Sequence, residues 1–269
     1  MKPSEILLLL TAITGLICLM HGLSRRGHHQ RMQAGHSRGK GGVVYEKIVE
    51  ISASFFPVLI LVLILRSFFV EAFRIPSGSM QPTLLEGDFI LVNKYNYGLR
   101  VPLTGYTFWK LGAPERGDVV VFSMGRKDVI KRVVGLPGDK IRYDHKTLYV
   151  NDEPMLQVYK DEVVQDKNGQ PWPFYREYVE YLGSKQHDIF VRADQGLSAS
   201  APQVFRYQSV TVPEGSYYVL GDNRDNSLDS RYWGFVKANQ IQGRAFAIFT
   251  SIDWEHKALR WKRLFKGID

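Results

Sequence analysis

Two long apolar runs open the chain, and a succession of short ones follows. The first run covers residues 6–20 with no charged side chain inside it. It approaches the roughly 20 residues that a membrane-spanning helix needs, and Leu23 extends it. A cleaved secretory leader fits less well, because the positive charges follow the run and no Ala-x-Ala site comes after it. The second run, residues 51–70, is interrupted only by Arg66. That residue lies near the far end, where a long side chain can reach the interface, and Phe68, Phe69 and Phe73 fall at or near the same level. Pro57 is tolerable in a membrane helix. The pattern predicts a first anchor over 1–23, a loop over 24–50, a second membrane helix over 51–70 and a separate domain over 71–269.

Beyond residue 73 the apolar runs shorten to strand length. Residues 89–93 follow Gly87-Asp88, residues 119–122 follow Arg116-Gly117-Asp118, and residues 217–220 follow Pro213-Glu214-Gly215. Residues 245–249 follow Gly243-Arg244. Residues 129–134 run into Gly135-Leu136-Pro137-Gly138-Asp139, where Pro137-Gly138 suits the centre of a type II turn. Short β-rich runs with Gly and Pro between them predict a mainly β domain. Residues 155–205 are polar, with weaker periodicity, and read as an insertion with longer loops. The tail, 254–269, mixes Trp254, Trp261 and Phe265 with Lys257, Lys262 and Lys266. It reads either as a basic amphipathic segment touching a membrane surface or as a solvated helix packed on the domain.

Charge changes this picture in one respect. A net charge of +8 over 269 residues admits nucleic acid as a partner if taken alone. Its distribution argues otherwise: residues 1–70 hold 8 Lys/Arg against 3 Asp/Glu, a net of +5, whereas residues 71–269 hold 27 against 24, a net of +3. The excess lies between the two apolar runs, as the positive-inside rule expects of a cytoplasmic loop, so 71–269 is expected on the outer side. His28, His29 and His36 lie among arginines without a cysteine or carboxylate cluster and read as a solvated linker, not a metal site. Cys18 is the single cysteine, which excludes an internal disulfide framework and any CxxC site.

Three stretches carry candidate chemistry. PSGSMQPT, residues 76–83, sets two serines around a glycine between stiffening prolines; a serine nucleophile needs such a fixed hydroxyl with donors nearby, although alone the stretch also reads as a plain turn. VIKRVV, residues 129–134, puts a lysine in an apolar strand. Alternation groups Lys131 with Val129 and Val133, and Arg132 with Ile130 and Val134. Dehydration disfavours the ammonium and lowers its pKa, which a lysine general base requires; the plain alternative is an edge-strand lysine reaching to water. GDNRDNSLDSRYWG, residues 221–234, is dense in side chains that hydrogen-bond to backbone and to one another, as a structural loop would be.

Together, after two apolar runs, these stretches resemble the bacterial type I signal peptidase (leader peptidase) family, over nearly the whole chain. That resemblance implies a membrane-bound serine endopeptidase with a Ser-Lys dyad, cleaving after Ala-x-Ala sites, and a signal-peptidase-like β fold. Ser79 matches the nucleophile and Lys131 the general base. The Ser77 side chain with the Ser79 N–H matches the oxyanion hole, and Ser227 the residue that orients the lysine. Asp222 with Arg132, and Asp229 with Arg231, match supporting pairs. Phe73, Ile75, Met80, Leu84 and Ile130 match positions lining the pockets for small side chains at −1 and −3. The resemblance implies no cofactor and no metal. Preproteins with signal peptides, the phospholipid bilayer and the secretion translocon are the implied partners, nucleic acid is not, and a bacterial cytoplasmic membrane is the implied location. Some relatives carry an outer-domain disulfide that this chain cannot form.

Other readings account for less. Self-cleaving repressors share a β core and a comparable dyad, but they are soluble and carry a DNA-binding domain. Ser37 and Lys40 have penicillin-binding spacing yet lie in the basic loop. No His-Glu-x-x-His is present, and none of His145, His187 and His256 sits in a triad motif. A non-catalytic, membrane-anchored, peptide-binding β domain of a secretion complex would be expected to lack Ser79 or Lys131, and both are present.

Overall fold

The computed structural model describes residues 3–28, 40–68, 70–100, 107–109, 111–125, 127–161, 175–193 and 209–268. The chain divides into two compact units, Met1–Phe69 and Val70–Asp269.

The first unit is a pair of helices, α1 (Pro3–His28) and α2 (Lys40–Phe68). Each carries a window long and apolar enough to cross a membrane, Ile6–Leu23 and Val44–Ile64. Gly15 brings them into close contact, since a Cβ there would lie 2.7 Å from Phe56 Cε2. Leu9, Leu16, Leu19, Val58 and Leu61 point away from the pair and are exposed, a distribution that hydrocarbon tolerates and water does not. The second helix differs from the expected bounds. It starts at Lys40, inside the stretch read as loop, because Glu46, Lys47 and Glu50 are good helix formers even though they are not apolar. It ends at Phe68, and the strand Val70–Arg74 is the next element in the chain.

The second unit is mainly β. Its large antiparallel sheet runs, in spatial order, Val70–Arg74, Asp88–Asn93, Ile241–Asp253, Val119–Met124, Lys127–Gly135, Ser216–Leu220 and Val236–Lys237. Alternation dictates the strand Asp88–Asn93, whose odd positions are half-buried while Asp88, Ile90 and Val92 are buried. The turn after Lys127–Gly135 is as expected: Asp139 N–H donates to Leu136 O at 3.0 Å, and Gly138 supplies a φ of +85°. Three apolar clusters fill the unit. One gathers Ile75, Met80, Leu84, Ile90 and Ile248. A second gathers Val134, Ile141, Leu148 and Leu220, and a third Val120, Phe122, Val133 and Val219.

Two stretches fold in ways that the apolar pattern did not specify. The polar stretch 155–205, read as longer loops, contains a three-stranded antiparallel sheet of Gln157–Asp161, Tyr175–Leu182 and Lys185–Arg192; residues 162–174 and 194–208 lie outside the described residues. Its buried positions include Glu180 and His187, which an apolar-periodicity reading passes over. The tail is not the solvated helix that one of its two readings expected. Ala258–Leu259 and Lys266–Gly267 pair back onto Ile241–Asp253. Arg263 ties the tail down through Asp88, with Nη2 to Oδ2 at 2.6 Å and Nε to Oδ1 at 3.1 Å.

Candidate active site

The hydroxyl of Ser79 lies on a one-turn 3-10 helix, Gly78–Met80. The turn is pinned from inside by Met80, which is fully buried in the first apolar cluster. Residue Leu84 closes it with an N–H bond to Met80 O at 2.9 Å. Across from it, Lys131 projects from the strand Lys127–Gly135. Its Nζ is 2.7 Å from Ser79 Oγ and 2.8 Å from Ile130 O. Only 3% of Lys131 is exposed. Burial lowers its pKa from 10.5 to about 8; Asp229 and Asp222 pull the other way, and Arg231 adds to the lowering. A lysine so placed is substantially neutral a little above neutral pH and can accept the serine proton.

A loop from the far end of the sheet grips the serine turn. Asn223 donates its N–H to Ser79 O and its side-chain amide to Gly78 O, both at 3.1 Å. This contact requires Gly221: a Cβ there would stand 2.5 Å from Ser79 O and 2.2 Å from Ser227 Oγ. Sequence reasoning assigned neither Gly221 nor Asn223 a role. Their place within the 221–234 motif was the available signal.

Charged pairs hold the loop. Asp222 takes both Nε and Nη2 of Arg132, at 2.9 and 2.8 Å, and the hydroxyl of Thr83 at 2.5 Å. Arg132 is adjacent to Lys131 in the chain, so this buried fork fixes the lysine strand and the loop together. Asp229 takes both Nε and Nη2 of Arg231 at 2.8 Å and the Gly221 N–H at 3.0 Å. Burial alone would raise the Asp229 pKa; the Arg231 charge and these hydrogen bonds hold it below its ordinary value.

The remaining matched residues fall as follows. Ile75, Met80 and Leu84 are buried together, with Phe73 and Ile130 half-exposed against the same cluster. Ser77 is exposed at the start of the serine turn. Ser227 is buried near Ser79 O and Gly221, but among the described residues the hydrogen bonds of Lys131 go to Ser79 and Ile130, not to Ser227. His187 lies 3.7 Å from Asp222 Oδ1 and is not hydrogen-bonded to Ser79. Among the described residues no group of three or more His, Cys, Asp or Glu side chains is disposed to hold a metal ion.

A serine hydroxyl in contact with a buried, low-pKa lysine defines a site suited to base-assisted attack by a hydroxyl, carried here by a β domain that follows two apolar helices. Comparison with known proteins narrows that class. A family model described as signal peptidase, peptidase S26, matches residues 48–250. A signal peptidase I of Pseudomonas aeruginosa is 45% identical over 218 residues, covering 76% of this chain and 73% of its own. One of Pseudomonas fluorescens is 39% identical over 274 residues, 91% of each chain. A solved signal peptidase I of Enterococcus faecalis is 33% identical, covers 49% of this chain and 95% of its own, and superposes with a TM-score of 0.29. On the family match and the two Pseudomonas relatives, the chain belongs to the signal peptidase family, peptidase S26.

Proposed function

We propose that this protein is a membrane-bound serine endopeptidase that removes N-terminal signal peptides from exported preproteins, cleaving after Ala-x-Ala-type sites. The observation that carries the mechanism is the 2.7 Å contact between Lys131 Nζ and Ser79 Oγ, with the lysine buried. Neutral Lys131 takes the hydroxyl proton as Ser79 Oγ attacks the scissile carbonyl carbon. The resulting oxyanion is received by the Ser79 N–H and the Ser77 hydroxyl. The ammonium then passes its proton to the departing amine as the peptide C–N bond breaks, leaving the signal peptide as an ester on Ser79. Water gives a proton to Lys131 as it attacks that ester, and the lysine returns the proton to Ser79 Oγ as the ester C–O bond breaks, which releases the signal peptide's carboxyl end and restores the serine.

Specificity follows from the apolar cluster beside the serine turn. Phe73 and Ile130, half-exposed over the buried Ile75, Met80 and Leu84, are the residues that would face the substrate, and the shallow apolar surface they make would admit alanine-sized side chains and exclude larger ones. An extended substrate adds as a strand along 73–77, at the end of the large sheet. The helices anchor the enzyme in the cytoplasmic membrane with residues 71–269 on the outer side, where exported chains emerge from the translocon. Lipid contact by the second unit is supported by the exposed Trp261, Phe265 and Trp254 among Lys257, Lys262 and Lys266.

The test is processing of an Ala-x-Ala preprotein by the full chain in detergent, beside Ser79→Ala and Lys131→Arg, with products identified by mass. Cleavage after the second alanine, absent in both variants, is expected, because the arginine stays protonated. Cleavage that persists in Ser79→Ala overturns the assignment of the nucleophile.

A further inference from the structure

The sheet built from the polar stretch reaches the active-site loop through a chain of buried charges that the catalytic reading leaves unexplained. Glu180 and His187 are cross-strand partners in the hairpin of Tyr175–Leu182 and Lys185–Arg192. Glu180 is fully buried, and its carboxylate takes both terminal nitrogens of Arg224, which is 1% exposed. Gln157 adds a hydrogen bond to Glu180 at 3.0 Å. Burial alone would raise the Glu180 pKa; the Arg224 charge overcomes this and keeps the carboxylate ionised. His187 Nε2 lies 3.4 Å from Glu180 and 3.7 Å from Asp222. Burial and the Arg132 charge lower its pKa well below 6.5, so it is a neutral neighbour and not an ion-pair partner. Backbone pairing completes the contact: Phe190 N–H donates to Asp222 O at 2.9 Å, and Phe190 bridges to Asn223.

The loop 222–224 is thus held on one side by the hairpin, while on its other side Asn223 holds the carbonyls of Gly78 and Ser79. A buried ion pair of this kind is a poor way to add stability, because desolvation consumes most of the attraction. It is a good way to set one geometry. From this we infer that the hairpin is a positioning element for the nucleophile, with Glu180 as the positioning residue: through Arg224 it sets the loop whose Asn223 fixes the Ser79 turn. The inference rests on the Ser79–Lys131 reading and deepens it, since it places part of the catalytic precision in a stretch without a catalytic motif.

The experiment uses the full chain in detergent with an Ala-x-Ala peptide. Active sites are counted by titration with a serine-acylating probe, so that kcat is expressed per competent site. Glu180→Gln is expected to lower kcat per titrated site about tenfold or more, since small displacements of a nucleophile are costly. KM should stay within about twofold and the pH midpoint should not move, because the substrate walls and the surroundings of Lys131 are untouched. Should Glu180→Gln fail to fold around an unpaired guanidinium, the double variant Glu180→Gln with Arg224→Gln removes that charge and carries the same test. Adding Asn223→Ala should cost little beyond the larger single effect, because both substitutions break one chain of contacts. Fewer titratable sites with unchanged kcat per site would show a merely structural role and overturn the inference, as would independent, multiplying effects. Ser79→Ala in the same assay separates the two readings. If it is inactive while Glu180→Gln keeps its kcat, only the positioning inference falls; if it cleaves, the dyad itself falls.

Discussion

Lys131 stands where its own charge is penalised, and two consequences can be measured. The first is kinetic. With a pKa near 8, the fraction of neutral lysine rises steeply between pH 7 and 9, so kcat/KM should climb through a midpoint near 8. A rate that falls over this range in stable enzyme would remove the lysine from the role of base. The second is thermodynamic. The folded value, about 8, lies below the unfolded value of 10.5, so the native state binds fewer protons between them. Stability therefore rises with pH across that window, and below pH 8 the whole penalty is carried. Lys131→Met, which keeps the stem and discards the charge, should abolish turnover yet stabilise the second unit at pH 7 by up to about 3 kcal/mol, less whatever the two lost hydrogen bonds contributed. The gain in thermal midpoint should shrink as pH approaches 10. A variant less stable at pH 7, or an advantage independent of pH, would contradict burial as the source of the lowered pKa.

At the level of elements, the site is made where the end of one strand meets a turn from another, and Gly221 is the point of closest approach. A Cβ there meets Ser227 Oγ at 2.2 Å and the Ser79 carbonyl oxygen at 2.5 Å, and the second of these is backbone that cannot swing aside. Gly221→Ala should lower kcat about a hundredfold by separating the loop from the serine turn. Gly267→Ala, where a Cβ would have nothing within 4 Å, serves as the control and should leave peptide cleavage unchanged. A Gly221→Ala enzyme with normal kcat would mean that the loop contact does not set the serine. The strands around this junction were legible in the sequence because burial wrote an alternating apolar pattern into segments such as 89–93. Lys131 was legible because a charge in an apolar strand is conspicuous. Glu180 and His187 were not, since a polar residue becomes a core residue only when its partner arrives, and Arg224 comes 44 residues after Glu180. The conformation of the tail was hidden for a related reason. Its mixture of aromatic and basic residues fits an amphipathic helix, whereas its conformation is decided by pairing with Ile241–Asp253 and by the Arg263–Asp88 contact.

For the molecule as a whole, the question is what the helices add to a site contained wholly within residues 70–269. Among the described residues, the groups that hydrogen-bond to Ser79 and Lys131 belong to that unit. Only residues 69–78 connect the end of α2 to the nucleophile. In the reading proposed above, a preprotein's own apolar segment occupies the same bilayer, so anchoring the enzyme converts a search in three dimensions into one within a thin layer and raises the effective concentration of the cleavage site. The chemistry itself is unchanged by anchoring. A chain of residues 70–269 should therefore cleave a short soluble Ala-x-Ala peptide with a kcat/KM within a few fold of the full chain. On a preprotein inserted in vesicles it should be slower by about a hundredfold or more, within the range that tethering effects span. Replacing Trp261 and Phe265 by serine in the truncated chain should weaken its residual association with anionic vesicles without altering peptide cleavage, since both rings are largely exposed and their loss removes little from the core. Equal loss on both substrates would mean that the helices support the fold of the second unit. Equal retention on both would mean that the substrate reaches the site from solution, and the membrane would then have no part in catalysis.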